Sequence, residues 1–322
     1  GFRRLPFRSY FVGRIQQDYK NGNTVLGGIF TSTNRFFTDP HLNFINHNAF
    51  TGGLDLLHQW KDKEFFVDAK ITASNIYGST EAISDLQLSS ARYFQRPDAY
   101  RFDSTLTQLS GVGGKIKIGK GSKGLWRYST DLTFRSPTLE LNDIGYMQTA
   151  DLIKQGNAVS YFVNTPVVVF RTYTIGLKQN NNWEFKGHYL SSDYTLTTYL
   201  EFLNRWNFTS ALNHISESLD MRQLRGGEAI LIPASWMESI LVKSDFSKKV
   251  AFNFQGNYFF ENKRGTYFLV SPGITVQPLN TLRLSLNLNY TSNIDQLQYT
   301  DAFFSNGKQA PVLARINQHD LG

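Results

Sequence analysis

Thr281-Leu282-Arg283-Leu284-Ser285-Leu286-Asn287-Leu288-Asn289-Tyr290 alternates without a slip. Leu282, Leu284, Leu286, Leu288 and Tyr290 fall on one side, and Arg283, Ser285, Asn287 and Asn289 on the other. Side chains of a strand point to opposite sides in turn, so this stretch is a strand with one apolar and one polar face. The pattern recurs. Val250, Phe252, Phe254, Tyr258 and Phe260 oppose Ala251, Asn253, Gln255 and Asn257. Trp126, Tyr128, Thr130, Leu132 and Phe134 oppose Arg127, Ser129, Asp131, Thr133 and Arg135. Val67, Ala69, Ile71 and Ala73 oppose Asp68, Lys70, Thr72 and Ser74, and Val112, Gly114, Ile116 and Ile118 face away from Lys115 and Lys117.

Short polar breaks separate these runs. Lys20–Asn23, Asn180–Asn182, Phe246–Lys249, Asn262–Gly265 and Gln277–Asn280 read as hairpin turns by composition. The runs between them reach the about 9–11 residues of a tilted membrane strand. Soluble strands average about 5–6. Strands are expected over 7–19, 23–35, 48–61, 64–77, 105–120, 124–136, 158–179, 183–203, 205–218, 229–245, 249–261, 265–276, 281–294 and 310–319, with Pro166 a possible split in the seventh. The reading is an all-β fold: a transmembrane antiparallel β-barrel of the outer-membrane type, roughly 12–16 strands, as a single domain over residues 1–322. Glu81–Tyr93, with room for a short helical turn, and Asn142–Gln155 are expected in long loops.

Composition narrows the classes. The chain has 322 residues, a net charge of +7, 18% charged and 15% aromatic residues, and no Cys. Disordered chains are poor in aromatics and rich in charge. Without Cys, disulfides, thiolate metal sites and Cys nucleophiles are excluded. No apolar run approaches the about 20 residues of a spanning helix, and no stretch at the start reads as a signal peptide. The chain opens at Gly1-Phe2-Arg3-Arg4, as a mature or partial product would. Aromatics gather near strand ends: Phe36, Phe37, Trp60, Phe65, Trp126, Trp183, Trp206, Trp236, Tyr258, Phe259, Phe260, Tyr267, Phe268 and Tyr290. Amphipathic rings favour the headgroup level, which makes these a membrane girdle; cross-strand packing in a soluble sandwich is the alternative.

The motifs resemble a known family. Val12–Asp18 followed by Asn23–Arg35 is similar to the opening hairpin of a bacterial, Bacteroidota-type outer-membrane family. Ser89–Asp98, Leu141–Tyr146, Leu203–Trp206, Leu224–Gly227, Ser244-Asp245, Gln298-Tyr299 and Ala314–Gln318 extend the resemblance in order across nearly the whole chain. Members carry an N-terminal domain similar to carbohydrate-binding module family 9, then a barrel catalogued only as a domain of unknown function. The resemblance implies that the module and the last strands lie outside this sequence. It also implies association with glycans.

The chemistry-bearing residues fall into two groups. On the polar sides of strands, Asp68, Lys70, Lys115, Lys117, Arg127, Asp131, Arg135 and Arg283 are expected to face the lumen. In the loops, Arg92, Tyr93, Phe94 and Arg96, with Asn142 and Asp143, are candidates for a constriction or plug; packing against the barrel wall is the plainer reading. His41 and His47 lie near Asp39, but solvated loop histidines are commoner than a metal site, and no HExxH or GxSxG pattern occurs. Gly111-Val112-Gly113-Gly114 lacks the Lys-Ser/Thr of a phosphate loop. Its glycines fit a crowded strand better. Basic residues alternate along strands instead of clustering, which disfavours nucleic acid.

The expected location is the cell outer membrane. Membrane lipid and lipopolysaccharide are the expected partners, with other outer-membrane proteins and glycans as further ones. No nucleic acid, metal or cofactor is expected. A pore or uptake component, for oligosaccharides on what the resemblance implies, is the first functional reading. A structural or partner-binding subunit of a larger complex is the second. A glycan hydrolase using Asp68, Asp131 and Glu201 is the third, since glycosidases need paired carboxylates about 5–10 Å apart.

Overall fold

The alternating segments fold as strands, the 281–290 run with a break at 288–289, in the computed structural model, which describes residues 7–37, 39–262, 264–305 and 308–322. The order is β1 (Phe7–Tyr19), β2 (Thr24–Phe36), a 3-10 turn (Pro40–Leu42), β3 (Asn48–Trp60), β4 (Phe65–Tyr77), helix α1 (Thr80–Leu88), β5 (Gln108–Lys120), β6 (Trp126–Arg135), β7 (Leu152–Val163) and β8 (Phe170–Trp183). Then follow β9 (Tyr189–Phe202), β10 (Asn207–Ile215), β11 (Ser218–Asp220), β12 (Ile230–Ile232), β13 (Ser235–Lys243), β14 (Val250–Glu261), β15 (Gly265–Leu279), β16 (Leu282–Asn287), β17 (Tyr290–Ser305) and β18 (Lys308–Leu321). Among the described residues, sixteen strands form one meandering sheet from β1 to β18, with β16 beside β15, while β11 and β12 form a separate ribbon. Every ladder is antiparallel. β1 and β18 each have a single neighbour in the sheet, so no closed ring is seen.

Register carries face identity from strand to strand. On one face Ile15 meets Gly28, Gly28 meets Leu54, Leu54 meets Ile71, Ile71 meets Gly114 and Gly114 meets Phe134. On the other, Gly27 meets Asp55, Asp55 meets Lys70, Lys70 meets Lys115 and Lys115 meets Thr133. Among the described residues no second layer covers the apolar face: Leu54 stays 66% exposed, Leu284 56% and Phe252 48%. A sandwich would bury these side chains at about 1.5–3 kcal/mol each. No helix of the described residues is long and apolar enough to cross a membrane.

Aromatic rings of the apolar face touch across strands. Near the short turns, Trp60 meets Phe65 at 5.8 Å between ring centroids, Trp126 meets Tyr161 at 4.9 Å, and Phe170 meets Phe202 at 5.2 Å. A second row links Phe11, Phe30, Phe50 and Tyr77. Phe259 and Tyr267, expected in the girdle, lie opposite each other on the polar face instead, in step with Asn257 and Leu269.

Several expected boundaries move, each for a local reason. Asn180–Asn182 is not a turn. These residues sit inside β8, where Asn180 bonds Asp193, Asn181 bonds Gln155 at 3.1 Å and Asn182 bonds Ser191 at 2.9 Å. The bend falls later, around Gly187 at φ +90°. The segment 158–179 divides at a turn closed by reciprocal Val167 and Phe170 backbone bonds of 2.9 and 3.0 Å. Pro233 parts β12 from β13. The 281–294 run breaks between β16 and β17 opposite Pro272, whose carbonyl accepts from Leu288 N at 3.0 Å but which has no N–H to return.

The long connections all lie at one end of the strands. Short turns follow β1, β3, β5, β9 and β13, while the longer segments 37–47, 78–107, 136–151 and 216–234 lie at the opposite end of the strands.

Candidate functional site

The expected polar-face residues share one side of the sheet. Asp68 pairs with Lys117 and Lys70 with Lys115 across β4 and β5; Lys117 pairs with Asp131 and Gly113 with Arg135 across β5 and β6. Arg127 and Arg283 keep the same alternation on β6 and β16. Opposite charges interleave: Lys70 Nζ lies 3.6 Å from Asp68 and Lys115 Nζ 4.0 Å from Asp131. Arg14 adds a 3.1 Å pair with Asp55. Arg127 caps the β5–β6 turn, donating to the Lys123 and Gly124 carbonyls at 2.7 Å, and Arg283 lies over the Phe246 ring. Glu201 pairs with Arg171 at 3.3 Å. Each carboxylate of the hydrolase reading thus faces its own cation.

The loops make the more elaborate structure, because they fold back onto the polar face. Helix α1 is fixed at its start by Ser79, whose Oγ accepts from Ala82 N at 3.0 Å. Its Ile83 packs on Ala49, Ile76 and Leu109, three polar-side positions made apolar for this contact. Gln87 then closes the loop by exchanging bonds with Asp103, donating to its carbonyl at 2.8 Å and accepting from its N–H at 3.0 Å. The 136–151 segment crosses β5 over Gly111, where a Cβ would stand 2.2 Å from Leu139 N. Gly111 therefore admits a crossing backbone, and Gly113 leaves room for the Leu139 side chain.

Arg92 joins the two segments. It donates to Leu86 O at 2.9 Å, Ser89 Oγ at 3.2 Å, Pro137 O at 3.1 Å and Glu140 Oε2 at 2.9 Å, and also to Leu139 O. Both charged side chains are buried, Arg92 at 0% exposed and Glu140 at 3%. Burial lowers the Arg92 pKa, and Glu140 partly offsets this. Glu140 is held in turn by Asn142 N on Oε1 at 2.8 Å. Asp143 receives Arg35 at 2.5 Å and Asn46 at 3.0 and 3.1 Å, which fastens the 37–47 segment.

Four residues further on, Arg96 meets the other loops. It donates to Met221 O at 3.1 Å and stands 3.5 Å from Asp98 and 3.8 Å from Glu184. Glu184 contacts His188. Lys186 donates to the Asp98 and Ala99 carbonyls at 3.0 and 2.6 Å and lies over Tyr100. Asp151 accepts from Phe185 N at 2.9 Å, and burial first, then Glu184, pushes its pKa up. Arg222 donates to Thr149, whose carbonyl also accepts from Arg135 at 3.1 Å.

Between these segments lies a polar cleft of about 950 Å³. Tyr93, Tyr146, Asn142, Asp143, Asn46 and Arg222 are on its wall. Tyr93 holds φ at 49°, an unusual backbone for a bulky residue. Phe94, also expected in a plug, is buried beside Tyr100 and supports the cap without facing the cleft. Sequence reading missed Glu140, Glu184, Asp151 and Arg222, since their partners are distant in sequence and no short motif marks them. His41 and His47 do not converge. His41 N donates to Asp39, while the His47 ring packs edge-on against Phe37. Among the described residues no three metal-ligating side chains come together.

No curated protein matches the chain. Among solved structures, one described as the "CymD monoaromatic hydrocarbon channel" is similar at 10% identity over 89% of this chain and 82% of that one, with a TM-score of 0.25. The model of the family described as Domain of unknown function (DUF5916) matches residues 10–321, and the chain belongs to that family.

Proposed function

We propose that this chain is the wall of an outer-membrane β-barrel that acts as a pore or uptake component, its lumen narrowed at one end by the loop cap. The observation that carries the reading is the division of labour between the faces. Among the described residues the apolar face is exposed and has no covering layer, whereas the 78–107 and 136–151 segments dock on the polar face. In this reading lipid acyl chains and lipopolysaccharide meet the apolar side. The interleaved charges of Asp68, Lys70, Lys115, Lys117 and Asp131 line the lumen and set its charge preference. Asn142, Asp143, Asn46 and Arg222 beside two tyrosines suit a neutral, hydroxyl-rich cargo such as an oligosaccharide: amides and carboxylates meet hydroxyl groups, and rings meet apolar sugar faces.

Planar-bilayer conductance of the full protein tests this. Channel activity that rises when the 78–107 segment is shortened, and falls with added oligosaccharide, supports it. Silence in both forms rejects it. The buried Arg92–Glu140 junction favours a second reading, a barrel permanently plugged and used to hold a partner. Co-purification of a protein in mild detergent, with no conductance in either form, would select that one.

A further inference from the structure

We infer that the short-turn rim of β1–β6 binds an anionic glycerophospholipid, its phosphate held by Lys20, Lys61 and Lys63 and one acyl chain laid in a trough on the apolar face. The inference rests on the barrel reading and gives its lipid contact a place and a headgroup. Short turns of bacterial barrels face the periplasm and longer loops the outside. The leaflet at this end is therefore glycerophospholipid, not lipopolysaccharide.

Charge carries the headgroup assignment. The turns after β1, β3 and β5 hold Lys20, Lys61, Lys63 and Lys123 against Asp62 and Glu64. Both anions are taken: Asp62 pairs with Lys123 at 2.9 Å and Glu64 with Lys120 at 3.0 Å. Among the described residues Lys20, Lys61 and Lys63 have no anionic partner. The three turns touch. A Cβ on Gly22 would lie 3.9 Å from Lys63 Nζ, so this ammonium reaches over the first turn. Ser122 Oγ donates to Lys63 O at 2.7 Å and ties the third turn to the second. Lys61 Nζ lies 5.4 Å from the centroid of the Phe65 ring, which stacks on Trp60. A cation over an aromatic shelf suits the headgroup level of a bilayer. All three lysines also hold a left-handed backbone, with φ of 51° at Lys20, 49° at Lys61 and 64° at Lys63. Turns favour Gly, Asn or Asp at such positions. A long cation kept there against local preference points to a use outside the turn.

The apolar face supplies the seat for the chain. Further along β3 from Trp60 the same side carries Leu56, Leu54 and Gly52. Gly52 stands between Phe30 and Ala73, and Gly28 between Ile15 and Leu54. With Gly13 they floor an apolar trough of about 750 Å³, walled by Phe30, Leu54 and Ile71. A Cβ on Gly52 would meet nothing within 4 Å. From Trp60 to Leu54 is about 20 Å of strand, the reach of an extended acyl chain from its headgroup.

Native mass spectrometry of the full-length protein in detergent, titrated with phosphatidylglycerol or with phosphatidylcholine of the same chains, tests this. A lysine beside an anionic headgroup contributes about fivefold, so phosphatidylglycerol should be retained at least about tenfold better. Lys20→Asn, Lys61→Asn and Lys63→Asn together should abolish that preference. The turns should form at least as well, since Asn tolerates the left-handed backbone. Arg205→Asn, Lys248→Asn and Lys249→Asn, which remove the same charge from two other short turns, should leave the preference intact. Gly52→Leu, which fills the trough, should weaken both lipids severalfold and keep their ratio. Equal retention of the two lipids by the unaltered protein would overturn the inference. So would an equal loss in the Arg205 set, which means diffuse charge, or no effect of Gly52→Leu, which means no seated chain. Lipopolysaccharide displacing phosphatidylglycerol from the unaltered protein would overturn it too. In each of these cases insertion into phosphatidylcholine vesicles leaves the barrel standing; failure to insert into any vesicle removes both readings.

Discussion

Arg92 and Arg96 sit in the same loop, are both nearly inaccessible, and are held in opposite ways. Arg92 distributes its guanidinium over five acceptors from two segments and faces one carboxylate at 2.9 Å. Among the described residues the Arg96 guanidinium makes one hydrogen bond, and its Nε, Asp98 Oδ1 and Glu184 Oε2 are buried without a hydrogen-bond partner. A buried charge is tolerated when geometry and extra bonds replace lost hydration; otherwise it remains costly. The cap thus has a locked half, α1 with the 136–151 segment, and a slack half, where the β8–β9 bend and the 216–234 segment meet Arg96. If the cap opens, it parts at the slack half.

That contrast can be broken most forcefully at the lock. Arg92→Met leaves the Glu140 carboxylate buried without its cation, a loss of about 3–5 kcal/mol. It is read as denaturant sensitivity of the detergent-folded protein and protease cleavage within 78–107. Arg92→Lys should rescue little, because a point charge cannot serve five fixed acceptors. Next comes Gly111→Val, which drives a side chain into the Leu139 backbone. It should cost about 1–3 kcal/mol in the same assay by overpacking. Arg96→Gln should cost about 1 kcal/mol or less, since its ion pairs lie beyond hydrogen-bond range and Glu184 keeps His188. A cost equal to that of Arg92→Met would erase the distinction.

The smallest effect is a pH slope at the slack half. Burial and Glu184 raise the Asp151 pKa in the folded state. Between the ordinary carboxylate range and this raised value, the folded protein binds more protons than the unfolded one. Stability of the cap therefore falls as pH rises through that window. Asp151→Asn should flatten the slope and stabilise the cap above the window, as measured by proteolysis across a pH series.

The two faces of the sheet were legible in the sequence because period two is a local signal: Leu282–Tyr290 declares its sides without any partner. The polar-face residues followed from the same alternation, and the register places them on one side of the sheet. The cap was not legible. Glu140 and Glu184 acquire meaning only from Arg92 and Arg96, 48 and 88 positions away in the chain. Ala49, Ile76 and Leu109 read as lapses in a polar face until α1 covers them. Asn180–Asn182 misled because turn chemistry was outweighed by side-chain partners on both neighbouring strands.

The central claim, that the exposed apolar face meets acyl chains, is tested most directly by nitroxide scanning of β4 and β16 in lipid bilayers, with single cysteines placed in the cysteine-free chain. Labels at Ile71 and Leu284 should be accessible to dissolved oxygen and shielded from a water-soluble relaxant, with the reverse at Lys70 and Ser285. Equal accessibility on both sides, or a protein that stays in solution without detergent, would contradict it.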